Sequence, residues 1–274
     1  MINFFHAIFE HSFIQYALIG SVLSCIATAL IGPFIVVKKL GNLVGGISHS
    51  ILGGMGIALF LAINPIYGAI VFAVIAAISI GIISKKTKQH EDIIINCIWA
   101  FSMALGVLFI SKTPGYVQDL MGYLFGNILM INVNMLLLIA IFDLLIFLII
   151  FLKYKTFVAI SFDEEFSNTR GISTNFYYLL LLTLISLTIV VLIQVVGILL
   201  VIALLIIPSA ISLRFTNSVS KMMLSSLLLG IIFSFLGLWI SYGLNLPTGP
   251  CIVLVSAFFF FSLFNIRFKK FVNF

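Results

Sequence analysis

Charge is scarce in this sequence. Asp, Glu, Lys and Arg make up 8% of its 274 residues, whereas a soluble domain carries about 25% of these residues. Hydrophobic residues make up 63%, and apolar runs of about 20 residues, the length that spans a bilayer, recur along the whole chain. No polar stretch is long enough for a soluble domain. The sequence therefore predicts an all-α protein, a polytopic bundle of transmembrane helices that forms one domain over residues 1–274.

Motifs for enzyme chemistry are also missing. The sequence contains no GxxxxGK[ST] phosphate-binding loop, and its residues assemble into no nucleophile, base and orienting group. The three cysteines, Cys25, Cys97 and Cys251, form no CxxC pair and are predicted to be structural thiols. Residues 1–13 lack Lys and Arg before a long apolar run, so we expect no cleaved signal. The chain is predicted not to hydrolyse ATP itself.

Breaks between the apolar runs divide the chain into nine predicted spans. Lysine pairs, glycines and prolines close most of them. The less apolar stretch from Ser111 to Ile131 is predicted to form a loop with a short interfacial or re-entrant helix. The spans cover approximately residues 14–37, 46–63, 65–84, 93–110, 132–152, 176–192, 196–213, 222–244 and 251–264.

The basic residues decide the orientation of these spans, because Lys and Arg concentrate in the cytoplasmic connections of membrane proteins. With the N-terminus outside and the C-terminus inside, Lys112 is the only basic residue outside. The net charge of +6 is then explained by topology, and no nucleic-acid binding is expected. The basic residues predicted to lie inside are Lys38, Lys39, Lys85, Lys86, Lys88, Lys153, Lys155, Arg170, Arg214, Lys221, Arg267, Lys269 and Lys270.

His49 is an ionisable side chain inside the second predicted span. An ionisable group at membrane depth is costly and marks a pathway or a site by default. If the segment is helical, Gly45, His49 and Gly53 share one face. We predict that His49 binds a metal ion, with Gly45, Ser48 and Gly53 along a translocation pathway. The alternative is a helix packing face, because small residues four apart let a neighbouring helix approach closely.

Asp143 is the only carboxylate inside a predicted span. A buried acid needs a partner, which leaves two interpretations open. Asp143 is either a relay or second ligand on the translocation pathway, or a structural residue paired with a polar group on a neighbouring helix.

The longest polar segment runs from Ser161 to Gly171. Ser161 and Glu164 have the spacing of a capping box, and Gly171 is a natural helix stop. We predict a helix of about nine residues between them, placed in the cytosol by the topology. Its acidic residues, Asp163, Glu164 and Glu165, either form a solvated loop or serve as a docking point for another protein.

Five segments together resemble the permease subunits of zinc, manganese and iron ABC importers, in the order in which they occur in that family. The resemblance implies a type II ABC importer-like fold in the plasma (inner) membrane of a prokaryote. It also implies a homodimer with two ATP-binding subunits and an extracytoplasmic metal-binding protein. The segments are Gly32-Pro-Phe-Ile-Val-Val-Lys38, Gly45-Gly-Ile-Ser-His49, Ser161-Phe-Asp-Glu-Glu165 with Gly171, Val196-Gly-Ile-Leu-Leu-Val-Ile-Ala-Leu-Leu-Ile-Ile-Pro-Ser209 and Leu246-Pro-Thr-Gly-Pro250.

The resemblance gives roles to individual residues. The segment from Asp163 to Gly171 would be the coupling helix that a groove on the ATPase receives, with Phe162 and Phe166 as apolar anchors. An aspartate commonly precedes the membrane histidine by four residues in this family, whereas this chain has Gly45 there. Imidazole suits zinc and manganese favours oxygen ligands, so zinc is the first expected cargo, manganese or iron the next. No cofactor is expected to stay bound.

Two other functions fit the residues alone. A secondary transporter or proton-coupled carrier would use His49 and Asp143 as a relay. A membrane scaffold would transport nothing and would leave His49 without a role.

Overall fold

The computed structural model describes residues 2–86, 91–113, 126 and 128–263, and within these ranges the secondary structure is helical, without a strand. This agrees with the predicted all-α fold. The helices are α1 (Ile2–Glu10), α2 (Ser12–Val37), α3 (Gly41–Phe60), α4 (Pro65–Lys86), α5 (Glu91–Ser111), a 3₁₀ turn (Ile128–Met130), α6 (Val133–Phe162), α7 (Glu164–Thr169), α8 (Thr174–Ser212), α9 (Val219–Leu244) and α10 (Thr248–Ser262).

Seven helical segments of the described chain are long and apolar enough to cross a membrane. Two shorter apolar segments, Val196–Ser212 and Thr248–Ser262, coincide with the predicted spans seven and nine. The polytopic helical architecture is confirmed, whereas the orientation of the termini stays a prediction. Most of the predicted loop over residues 111–131 lies outside the described residues.

Two predicted span boundaries differ from the structure. Helix α6 continues ten residues past the predicted end at Leu152, through a kink at Lys153 (φ −114°, ψ 17°), because no glycine or proline follows to end it. Predicted spans six and seven belong to one helical run, α8, which is interrupted at Gly197 (φ 77°, ψ 163°). Glycine takes this positive φ without the steric penalty that a Cβ atom would bring.

The described residues separate into two compact units, which are treated one at a time. Unit one comprises residues 1–36, 121–151 and 191–274, and unit two comprises residues 37–120 and 152–190. The prediction of one transmembrane domain over the whole chain is not tested by this division.

Unit one is held together by close contacts between its helices. A methyl group added at Gly32 would overlap the backbone of Leu205, and one added at Gly237 would overlap Ile252. The sulfur of the buried Cys25 lies 3.5 Å from the hydroxyl oxygen of Ser234. These thiol and glycine contacts are structural, as small residues at helix interfaces in membranes usually are.

In unit two, α3 packs between α4 and α5 through small residues. A methyl group added at Gly54 would overlap the carbonyl oxygen of Gly68 in α4, and one added at Gly56 would overlap the carbonyl oxygen of Gly106 in α5. Backbones that approach so closely leave no room for adjustment, because packed interiors are hardly compressible. The position of α3 is therefore fixed by α4 and α5.

Candidate functional site

His49 lies near the middle of α3, at the ninth residue of a 20-residue helix. It is half-buried. At about 1.5 Å per residue, it is roughly 12 Å from the first residue of α3, close to half the thickness of a bilayer core of about 30 Å. The depth of His49 in the membrane stays a prediction.

The imidazole of His49 stacks on the indole of Trp99 from α5. The two ring centroids are 4.5 Å apart, and the ring planes differ by 16°. Trp99 is held in turn, since its Nε1 donates a hydrogen bond of 3.2 Å to the sulfur of Met103, four residues later in α5. Stacking of this kind orients a ring without a polar anchor.

One ring nitrogen of His49 is enclosed without a partner. Nδ1 is buried and has no hydrogen-bond partner within the described residues, so a metal ion would have to approach through Nε2. Histidines that ligate metals usually donate the other ring N–H to a carboxylate or carbonyl, which strengthens the ligand. The described residues provide no such support for His49.

The three predicted neighbours of His49 occupy different surroundings. Gly45 has open space around it, since an added methyl group would meet no atom of the described residues within 4 Å. Gly53 faces the carbonyl of Ser102 in α5, and the buried Ser48 hydroxyl donates to the carbonyl oxygen of Val44 in its own helix, at 2.8 Å. Gly45 is the neighbour whose surroundings suit a pathway, and the pathway roles of Ser48 and Gly53 stay predictions.

Asp143 lies in α6 and belongs to unit one, whereas His49 belongs to unit two. Its side chain is buried, with 6% exposed, and its Oδ2 has no hydrogen-bond partner within the described residues. For Oδ2, the described residues therefore do not support the structural alternative, in which the carboxylate pairs with a polar group on a neighbouring helix. Its role as a relay or second ligand stays a prediction.

No group of three or more His, Cys, Asp or Glu side chains is placed to hold a metal ion in the ranges that the structure covers. A metal ion would therefore meet few strong protein donors at His49.

The short polar helix α7 begins and ends differently from the predicted capping box. Its N-cap is Asp163, whose Oδ1 accepts a hydrogen bond of 2.8 Å from the backbone N–H of Phe166. The capping prediction for Ser161 was wrong, because Ser161 lies in the last turn of α6 and donates to the carbonyl oxygen of Phe157. Helix α7 is therefore six residues long. Gly171, with φ 77°, takes the left-handed conformation expected just after a helix.

Aromatic side chains on either side of the α7 N-cap are exposed. Phe162 and Phe166 each expose 53% of their surface, and the guanidinium carbon of Arg170 lies 4.8 Å from the centre of the Phe166 ring. Glu165 points to the same polar end of unit two, where it lines a pocket of about 510 Å³. Exposed aromatic side chains beside charged ones are typical of protein interaction surfaces.

Comparison with known proteins gives consistent matches along the whole chain. The model of the ABC 3 transport family matches residues 10–267. The manganese transport system membrane protein MntC of Listeria monocytogenes is 33% identical over 95% of this chain and 93% of its own length. The manganese import system permease protein ScaB of Streptococcus parasanguinis is 34% identical over 98% of this chain and 95% of its own length.

A solved structure matches as well. The structure of PsaBC from Streptococcus pneumoniae in complex with Fab aligns with a TM-score of 0.88 and 33% identity, over 99% of this chain and 98% of that chain. The type II ABC importer-like fold that the resemblance implies is confirmed by this match.

Proposed function

Since this chain belongs to the ABC 3 transport family, it is a membrane transport subunit and not an enzyme, and we propose that it is the permease of an ATP-driven importer for divalent transition metal ions. Its partners are two ATP-binding subunits, an extracytoplasmic metal-binding protein and a second copy of this chain. The relatives named for manganese transport and import support a metal cargo. Membrane lipid surrounds the helices.

His49 carries the proposal. It is an imidazole near the middle of an apolar helix, stacked on Trp99 and supported by no polar partner on Nδ1 among the described residues. A side chain that served packing alone would not need an ionisable group at this depth. Neutral imidazole is a common ligand of transition metals, and weak ligation lets the ion leave again.

Zinc is the proposed first cargo, and manganese is the alternative. Gly45 provides no carboxylate one helical turn before His49, and imidazole suits zinc whereas manganese favours oxygen ligands. The names of MntC and ScaB support manganese. The choice is testable at Gly45, because a Cβ atom added there meets no described atom within 4 Å.

The segment around α7 is the proposed contact with the ATP-binding subunit. Phe162 and Phe166 supply exposed apolar anchors, Asp163 caps the helix, and Gly171 ends it. Glu164 and Glu165 place negative charge at the helix N-terminus, where it is stabilised by the helix dipole. The segment thus presents a preformed shape to a partner.

Two substitutions test the site at His49. We expect His49→Ala to slow zinc uptake at least about tenfold, which corresponds to about 1.4 kcal/mol, and to leave the thermal stability of the complex unchanged. Gly45→Asp should retain metal longer and raise manganese uptake relative to zinc. Both are measured in vesicles that contain the chain with its ATPase and binding protein, and Gly45→Asn is the uncharged control.

Wild-type zinc uptake by the His49→Ala complex would contradict a pathway at α3. If Gly45→Asp and Gly45→Asn gave the same ratio of manganese to zinc, the metal would be selected elsewhere, and the external binding protein would be the next place to look.

A proton-coupled carrier is the second candidate, and one observation favours it. Asp143 is a buried carboxylate with an unpartnered oxygen atom in the described part of unit one, and carboxylates of this kind serve proton relays in transporters. Uptake driven by a proton gradient in the absence of ATP would support this candidate.

A further inference from the structure

Glu164, the first residue of α7, lies between two lysines of unit two. Its Oε1 is 2.7 Å from the ammonium nitrogen of Lys38, and its Oε2 is 3.8 Å from that of Lys85. Lys38 follows α2 directly, and Lys85 lies in the last turn of α4. One carboxylate thus joins α7 to two other segments of the chain.

The same lysines make further contacts that fix their positions. Lys38 donates to the carbonyl oxygen of Ile160 at 2.9 Å, and Lys85 donates to Oδ1 of Asn175 at 2.5 Å. Both ammonium groups lie over the ring of Tyr178, at 5.3 Å and 4.9 Å from its centre. Tyr178 is itself buried, with 5% exposed. We call Lys38, Lys85, Glu164 and Tyr178 the lysine clamp.

The lysine clamp places one carboxylate, that of Glu164, between two ammonium groups. Two ammonium groups over one ring repel each other, and the carboxylate between them offsets that repulsion. The Lys38 side chain is 10% exposed and that of Glu164 is 40% exposed. Partly exposed ion pairs contribute little to overall stability, so the clamp is better suited to fixing the position of α7 than to stabilising the fold.

A pocket lies beside the lysine clamp. The pocket has a volume of about 510 Å³ and is lined by residues of α4, α7 and α8, including Gly81, Lys85, Glu165 and Asn168. Lys85 and Glu164 both line the pocket, and their charged groups are 3.8 Å apart.

A displacement of α4 is transmitted directly to α3, the helix that carries His49. The backbones of α4 and α3 touch at Gly68 and Gly54, and such a contact cannot be compressed. A shift of α7 that pulls on Lys85 therefore moves α4, and α4 moves α3 with it. Every element of this route belongs to unit two.

We propose that Glu164 is a positioning residue that couples the movement of α7 to α4 and, through α4, to the helix of His49. This inference rests on the proposed function, because it takes α7 as the segment on which the ATPase acts. Loss of the Glu164 charge separates ATP hydrolysis from metal movement.

The test uses the full complex in proteoliposomes, with ATP hydrolysis and zinc uptake measured in the same vesicles. We expect Glu164→Gln to lower the number of zinc ions moved per ATP hydrolysed severalfold. Lys85→Gln, outside α7, removes the contact from Glu164 to Lys85 and leaves that to Lys38; it should lower the same ratio while ATP hydrolysis continues. Because Glu164→Gln already removes the contact to Lys85, the double variant should lose no more than Glu164→Gln alone.

Glu10→Gln is the matched control. It removes one exposed carboxylate from α1, where no ion pair is formed within the described residues, and it should leave the ratio unchanged. Wild-type vesicles that take up zinc with ATP, together with a normal ratio in both Glu164→Gln and Lys85→Gln, would overturn this inference alone. Wild-type vesicles that show no ATP-dependent metal uptake would overturn the proposed function as well.

Discussion

Two regions of unit two handle polar groups in opposite ways. At His49, one ring nitrogen is buried without a partner among the described residues, and the ring is held by Trp99. At the lysine clamp, Glu164 contacts two lysines, and each lysine has further contacts of its own. The first region is sparse in polar contacts, and the second is rich in them.

The difference matches what each region is proposed to do. A site that passes a cation must bind it weakly enough to let it go. A lone imidazole whose other ring nitrogen has no hydrogen-bond acceptor among the described residues does this. A segment that transmits movement must keep its geometry while it moves. Several charged and polar partners for one carboxylate hold that geometry. Three sets of substitutions test whether this contrast is correct.

The largest effect is expected at the surface of α7. Replacing Phe162 and Phe166 together with Ala should weaken the affinity for the ATP-binding subunit about 1,000-fold, since apolar anchors each contribute on the order of 2 kcal/mol and each factor of ten corresponds to about 1.4 kcal/mol. The measurement is co-purification of the ATP-binding subunit at defined concentration. Phe258→Ala, at an exposed phenylalanine of α10, is the control and should retain the subunit.

Normal recovery of the ATP-binding subunit with the double variant would show that α7 is not its binding site. The contrast between the two regions would then lose its functional meaning, although the contacts of the lysine clamp would remain.

A smaller effect is expected on the packed side of α3. Gly54→Ala should lower the free energy of unfolding by about 1–3 kcal/mol, because the new methyl group overlaps the backbone of Gly68 and overpacking costs this much. Gly45→Ala is the matched control on the same helix. It has open space around it and should stay within about 0.5 kcal/mol of wild type. Thermal unfolding of the purified chain in detergent measures both.

Equal stability of the Gly54→Ala and Gly45→Ala variants would contradict the close backbone contact between α3 and α4. The route from the lysine clamp to His49 depends on that contact.

The smallest effect is expected at Trp99. An aromatic stack contributes about 0.5–1.5 kcal/mol, so Trp99→Ala should slow metal uptake by about threefold to tenfold, with about 1.4 kcal/mol for each factor of ten. Trp99→Phe keeps a stacking ring and should lose less. If Trp99→Ala slows metal uptake by the same factor in a chain that already carries His49→Ala, the tryptophan acts on something other than the imidazole.

The sequence predicted the helical spans well because apolar length is a direct consequence of bilayer thickness. It also located His49 and the segment around Asp163, since both interrupt a regular pattern. Trp99 was not predicted, because one aromatic residue in an apolar helix carries no signal of its partner. Lys38 and Lys85 were interpreted only as topology markers. Their contacts with Glu164 depend on the tertiary structure, which cannot be predicted by counting charges along the sequence.

Local errors have local causes. Ser161 and Asp163 both have the chemistry of an N-cap, and the apolar helix before them continues far enough to enclose Ser161. At Gly197 the expected connection between two spans is a break inside one helical run, because a single glycine can redirect the chain without a loop.

The most direct measurement is zinc uptake into proteoliposomes that contain the chain with its ATP-binding subunits and binding protein, with and without ATP and with the proton gradient collapsed by an ionophore. We expect uptake that requires ATP, persists without the gradient and falls at least about tenfold in His49→Ala, a loss of about 1.4 kcal/mol or more in transition-state stabilisation. Uptake that needs a proton gradient and ignores ATP would contradict the proposed importer and favour the carrier that uses Asp143.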